Sequence, residues 1–381
     1  MIQLETSRVE CLPLHIRRTF LLGAALILVV FGCCSKSRTV SGTAYSLLAD
    51  SRVIAVRIAD GQVVAEQSLS QNVSISSAGQ LMALSKKGNS LIVLISNQLF
   101  VTDLPDLTIK KIVPLSRTDC TFRSVAIGPL TNRLFVFGNC AGSINVTVLD
   151  PNIESELDRW SVTLPAKYDW AIYQANVSED EHRLFISYHG SHTTGIDWFD
   201  VSSNGLKRCK ENDDSNLGCI RVHGGFKLRG DKIFATAGGR LIIETDTDGK
   251  SLLAYDTYFE NNHVMEFAVN SQGTRLYALG MCGYQDGFSV VNLVDGGVPL
   301  NSQSDVPQLS RPAPSPIYKT SQSCGVRIAL SHDQLLVVGR TERPVPDPKN
   351  KGALLFIDVN DGRVIRTVTT PSEPVDVITD G

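Results

Sequence analysis

No C-x-x-C pair occurs in the 381 residues, which argues against a zinc ribbon or a dithiol redox motif. Patterns of the G-x-S-x-G, H-E-x-x-H, Walker and G-x-G-x-x-G kinds are missing from any credible strand–turn–helix context. The net charge is −3, and no dense basic run follows the N-terminal region, so nucleic-acid binding has no electrostatic footing. Long apolar patterns at helical spacing are also missing. What remains is a chain that is 43% hydrophobic and 20% charged, ample for a large core.

The N-terminus carries the most specific local signal. Arg8, Arg17 and Arg18 precede an apolar stretch at 20–34. That stretch falls short of the ~20 residues a spanning helix needs. A basic segment before a short apolar one reads as an export signal. Its end, Val30-Phe31-Gly32-Cys33, resembles the bacterial lipobox, which implies cleavage before Cys33 and a lipid on its sulfur. Arg17-Arg18-Thr19-Phe20-Leu21 also resembles a twin-arginine export motif. The expected organisation is a signal peptide over 1–32, a lipid-attachment cysteine and tether over 33–42, and one domain over 43–381. The expected address is extracytoplasmic, lipid-anchored to the cell membrane or outer membrane.

The rest of the chain is a repeat. Short apolar anchors recur at 89–95, 132–138, 182–188, 231–237, 274–280 and 333–339, about 43–59 residues apart. Alternation has period two, and Asp-Gly turns such as Asp361-Gly362 mark hairpins. Four-stranded antiparallel units in tandem read as a β-propeller. Complete blades are expected near 74–115, 122–164, 170–209, 223–257, 263–303 and 324–370. Residues 44–69 supply only three strands, and 374–381 supply one. Together they complete a seventh blade and seal the ring.

The R-L-F/Y-V anchors and the F-I-D-V-N-D-G-R-V hairpin resemble YVTN-type propellers. These are similar in fold to quinoprotein amine dehydrogenase heavy chains and to seven-bladed lactonases. The resemblance implies architecture over nearly all the mature chain and assigns no catalytic residue.

In a propeller, entries to innermost strands share one face with the loops between second and third strands. His189 and His192 in such a loop, and His223 and His263 before innermost strands, fall on that face. His182 and His332 fall on the other. Imidazole ligates metals and acts as a base near neutral pH, so the four are a candidate divalent-metal or base cluster, and equally a set of solvated loop residues. No other cofactor is expected. Six cysteines of this exported chain suggest disulfides Cys120–Cys140, Cys209–Cys219 and Cys282–Cys324, all stapling the entry face.

Charged residues interrupt the innermost strands at Arg123, Lys227, Glu266, Arg327 and Asp376. Charges beside a core need partners. Glu266 or Asp376 is expected to pair with Arg327. The set reads either as structural ion pairs closing the ring or as a polar pocket for an anionic or polar ligand. Arg123 and Arg327 each lie three residues after a cysteine and are expected to share a register. Trp170 adds an aromatic at a channel mouth. Residues 308–323, rich in Pro and Ser, read as a surface loop between blades. The leading functional expectation is a monomeric, lipid-anchored propeller binding a protein partner or small ligand on its cysteine-rich face. The second is a propeller enzyme, lactonase-like or a quinoprotein dehydrogenase-like subunit, with a His-lined site.

Overall fold

The computed structural model describes residues 41–380, except internal stretches of which 210–218, 281–287 and 300–315 are the longest. The signal segment and Cys33 lie outside the described residues. No helix occurs among the described residues, and every sheet is antiparallel. Sheet 1 joins the two ends of the domain, in the order Pro374–Thr379, Thr43–Leu48, Arg52–Arg57 and Val63–Ser68. Sheet 2 runs Met82–Ser85, Ser90–Ile95, Gln98–Asp103 and Ile109–Pro114. Sheet 3 runs Cys120–Ile127, Leu134–Cys140, Ser143–Leu149 and Glu156–Thr163. Sheet 4 runs Trp170–Val177, Arg183–Gly190, Thr194–Ser202 and Gly205–Arg208. Sheet 5 runs Phe226–Arg229, Lys232–Thr236, Leu241–Asp246 and Ser251–Asp256, and adds Val298–Pro299 as a fifth strand. Sheet 6 runs Val264–Val269, Arg275–Gly280, Phe288–Val294 and Pro316–Thr320. Sheet 7 runs Cys324–Ser331, Leu335–Thr341, Gly352–Asp358 and Val364–Thr370.

Burial explains the sequence pattern. Inner strands are covered on both faces by neighbouring sheets, so they read as continuous apolar runs. Ser90–Ile95 is buried at every position. Outer strands are covered on one face only, and Ile109–Pro114 alternates accordingly. The core therefore lies between consecutive sheets. Val136, Leu91 and Tyr45 share one cluster, Phe137 and Ile186 another, and Val337, Phe356 and Ile54 a third. Asp-Gly turns between third and fourth strands recur, and the glycines take left-handed φ: 72° at Gly61, 78° at Gly249 and 69° at Gly362.

The innermost strands follow one another around a common axis. Val125 N–H donates to Gln80 O (3.0 Å), Ala175 N–H to Ser124 Oγ (3.1 Å) and Phe226 N–H to Gln174 Oε1 (3.0 Å). Leu81 and Met82 N–H both donate to Asp376 Oδ2, at 3.1 and 3.2 Å. Edge strands carry unpaired N–H groups, and these bonds satisfy several of them from the neighbouring sheet. In sheet 1, Ala44 faces Thr379, Ser46 faces Val377 and Leu47 faces Asp376. The chain's start and end are thus stitched into one sheet.

Two expectations need correction. Four strands hold for six sheets, but sheet 5 has five. The residues expected to form the fourth strand of sheet 6, within 263–303, instead pair backward. Leu253 faces Pro299 and Ala254 faces Val298. Pro299 has no N–H, so this piece cannot continue as a ladder. The true outer strand of sheet 6 is Pro316–Thr320, inside the stretch read as a surface loop. Its Pro316 is the first residue of an edge strand, where proline is tolerated.

Candidate functional site

Five innermost strands carry a one-residue bulge, at Arg123, Tyr173, Met265, Val326 and Val375. A bulge leaves one residue unpaired and re-aims its neighbours. The residue that follows is polar each time: Ser124, Gln174, Glu266, Arg327 and Asp376. All five are buried. This corrects the register expected from the cysteines. Arg327 matches Ser124, and Arg123 occupies the bulge position that Val326 holds in sheet 7. The bulge comes three residues after Cys120 but two after Cys324, so equal spacing from cysteine misplaces Arg123 by one residue. Arg123 is half-buried and stands outside the described lining of the channel cavity.

That cavity is about 320 Å³ and takes lining residues from several sheets, among them Gln80, Tyr173, Lys227, Glu266, Arg327 and Asp376. Arg327 is its hub. Its Nη1 meets Glu266 Oε2 at 3.2 Å and the Tyr173 hydroxyl at 3.4 Å. Its Nη2 donates to Gly79 O at 2.9 Å, and its Nε lies 3.6 Å from Asp376 Oδ1. One guanidinium therefore joins sheets 1, 4, 6 and 7 and the segment entering sheet 2. Glu266 Oε1 also holds Lys227 Nζ at 3.0 Å. Gly79 also packs closely on the innermost strand of sheet 3. Its φ is 102°, and a Cβ there would sit 2.0 Å from the Arg123 carbonyl oxygen.

Electrostatics follow from this wiring. Glu266, Arg327 and Asp376 are each only 5–6% exposed, so desolvation is large and pairing is required. Burial pushes the Glu266 carboxyl up, but Lys227 and Arg327 together outweigh it, and its pKa lies below the ordinary value. Burial dominates at Asp376, outweighing the Arg327 charge and the Leu81 N–H, and its pKa is raised. Burial disfavours the Arg327 charge, yet Tyr173, Glu266 and Asp376 hold its pKa above the ordinary value.

The disulfides sit at the end where innermost strands begin. Cys120 and Cys140 face each other across adjacent strands and are bonded, with Cα atoms 4.1 Å apart. Cys209 and Cys219 are bonded at a Cα separation of 6.4 Å. The Asp197 carboxylate, fully buried, supports that staple. It accepts from Cys219 N–H (3.0 Å), the Tyr188 hydroxyl (2.9 Å) and Arg208 Nε (2.7 Å). Cys324 is also disulfide-bonded, and Cys282 lies outside the described residues. The two described groups with metal-ligand composition, Asp119-Cys120-Cys140 and Asp197-Cys209-Cys219, spend their sulfurs in these bonds.

His192, His223 and His263 lie outside the described residues. His189 is no loop residue: its backbone belongs to Arg183–Gly190 and faces Ala171 and Thr194. The alternating run simply extends to Gly190 before turning. Trp170 opens the innermost strand of sheet 4 and faces Gly190. His182 and His332 occupy first-to-second strand turns, as the sequence indicates. Sequence reasoning missed Gln80, Tyr173 and Gln174. Gln174 shows the same signal as Glu266, a polar residue breaking an apolar innermost strand.

No protein-family model matches the chain, and no curated protein matches it. Solved structures do resemble it. A protein from Lactobacillus plantarum is 14% identical with a TM-score of 0.60, over 90% of this chain and 100% of that one. The periplasmic gluconolactonase PpgL of Pseudomonas aeruginosa is 11% identical with a TM-score of 0.57, over 89% and 98%. AztD of Citrobacter koseri is 10% identical with a TM-score of 0.50, over 89% and 98%. Identities this low carry the fold alone, and the fold is a β-propeller.

Proposed function

We propose that the chain is an exported, lipid-anchored propeller that works by binding, taking a protein partner or small ligand on the end that bears the disulfides. The observation that supports this reading is the state of the channel carboxylates. Glu266 is spent on Lys227 and Arg327, and Asp376 on Arg327 and the N–H groups of Leu81 and Met82. A general base needs an accessible lone pair within reach of a substrate proton. Both carboxylates are already engaged with cations or backbone N–H groups, whereas a cavity with fixed polar groups is suited to recognition. Disulfides also favour an oxidising compartment outside the cytoplasm.

The enzyme reading, a lactonase-like hydrolase or a dehydrogenase-like subunit, requires the histidines as ligands or bases. Metal analysis separates the two. The purified chain is expected to carry no stoichiometric metal that His189→Ala or His263→Ala removes, and such a metal would transfer the function to the enzyme class. Anchoring is read by fractionation. Cys33→Ala is expected to move the protein from the membrane to the soluble fraction, and unchanged retention would reject the lipid anchor.

A further inference from the structure

In the channel cavity, Glu266, Asp376, Gln174, Gln80 and Gly79 each have an acceptor that already receives a hydrogen bond, whereas several donors have no partner among the described residues. Both oxygens of Glu266 are taken by Lys227 and Arg327. Asp376 Oδ1 accepts from Val377 N–H and Oδ2 from Leu81 and Met82. Gln174 Oε1 accepts from Phe226 N–H, and Gln80 Oε1 from Gln174 Nε2 at 3.2 Å. Gly79 O accepts from Arg327.

The donors differ. Lys227 carries three N–H bonds, and among the described residues Glu266 is its one partner. Gln80 Nε2 donates to none of the described residues. Asn176 Oδ1 accepts from Val177 N–H, and its Nδ2 donates to none of the described residues. The Tyr173 hydroxyl accepts from Arg327 and retains its own proton. All four side chains line the same cavity. Its ionised lining groups are three cations, Lys227, Arg229 and Arg327, against two carboxylates, Glu266 and Asp376, an excess of one positive charge. A molecule entering this space meets unspent N–H and O–H groups and a positive field. It must bring lone pairs and negative charge to match them.

Resting on the binding function above, we infer that the cavity takes a small molecule bearing an oxyanion, a carboxylate or a phosphate, with the Lys227 ammonium as its charged contact. Gln80 and Asn176 orient it through their amide donors. The volume suits a small metabolite and excludes a folded partner.

Calorimetry on the full-length chain in detergent tests this, with succinate and inorganic phosphate as probes. Glycerol and ethylenediamine serve as neutral and cationic controls. At least one oxyanion is expected to bind, and the preferred probe distinguishes a carboxylate from a phosphoryl ligand. Lys227→Met is expected to weaken binding about tenfold or more. Gln80→Leu leaves every ion pair in place and is expected to weaken it a few-fold with the thermal midpoint nearly unchanged. The inference is overturned if neither oxyanion binds, or if binding ignores both substitutions. Binding of glycerol or ethylenediamine in preference to both anions overturns the ligand class while leaving the binding function intact.

Discussion

Arg327→Met is expected to cost about 3–5 kcal/mol, because removing one member of a buried ion cluster strands the others. The substitution keeps the alkyl stem and deletes the charge. Glu266 retains Lys227, but Asp376 loses the guanidinium beside it. Gly79 O loses its donor, and the link to Tyr173 disappears. The loss should depend on pH in a definite sense. Without Arg327 both carboxyls are desolvated with less countercharge, so their folded pKa values rise. A carboxyl with a raised folded pKa destabilises the fold when ionised and stops doing so when protonated. The deficit should therefore be greatest near neutrality and shrink towards about pH 4.5, as the carboxyls take up protons. The wild-type Glu266 behaves oppositely. Its lowered pKa contributes stability above its unfolded value, lost as pH falls through the folded value. Urea midpoints of both proteins across this range give the comparison. A variant equally destabilised at every pH would mean that packing, not charge, makes Arg327 indispensable.

Deleting residues 374–381 is expected to abolish the folded monomer altogether. The segment supplies the whole innermost strand of sheet 1. Its loss removes the ladder from Ala44↔Thr379 to Leu48↔Pro374 and leaves those backbone groups unpaired. Val375 and Val377 leave two separate core clusters. Asp376 goes too, which frees the Leu81 and Met82 N–H groups and half of the Arg327 countercharge. Losses of this number exceed the ~5–15 kcal/mol by which a domain is stable. Circular dichroism and size exclusion report the result, and a cooperative monomeric transition in the truncated chain would contradict it.

Much of the architecture was legible because it is written in short-range patterns. The three-strand start and one-strand end need each other, and the structure pairs Thr43–Leu48 with Pro374–Thr379. Cys120 and Cys140 flank one hairpin, so antiparallel pairing brings them together. Arg327, Glu266 and Asp376 stood out as charges in apolar runs, and they do meet. What escaped depends on longer range. A bulge shifts register by one residue without changing composition, so Arg123 looked equivalent to Arg327. Proline-rich sequence resembles loop whether or not an edge strand is available to receive it, so Pro316–Thr320 was misread. Gln80 and Tyr173 reach the cavity only because a ring brings distant sheets around one axis, and nothing local in the sequence says so.

Sewing the chain's first domain strand to its last fixes the order of assembly. Thr43 N–H reaches Asp380 Oδ1 across 337 residues of chain, so the seam waits for the C-terminus to emerge. The length-dependent entropy of that closure alone is about 5 kcal/mol. Contacts of such high order are slow to form. Thr43–Leu48 therefore stays unmated until Pro374–Thr379 is made, and that last strand acts as the latch.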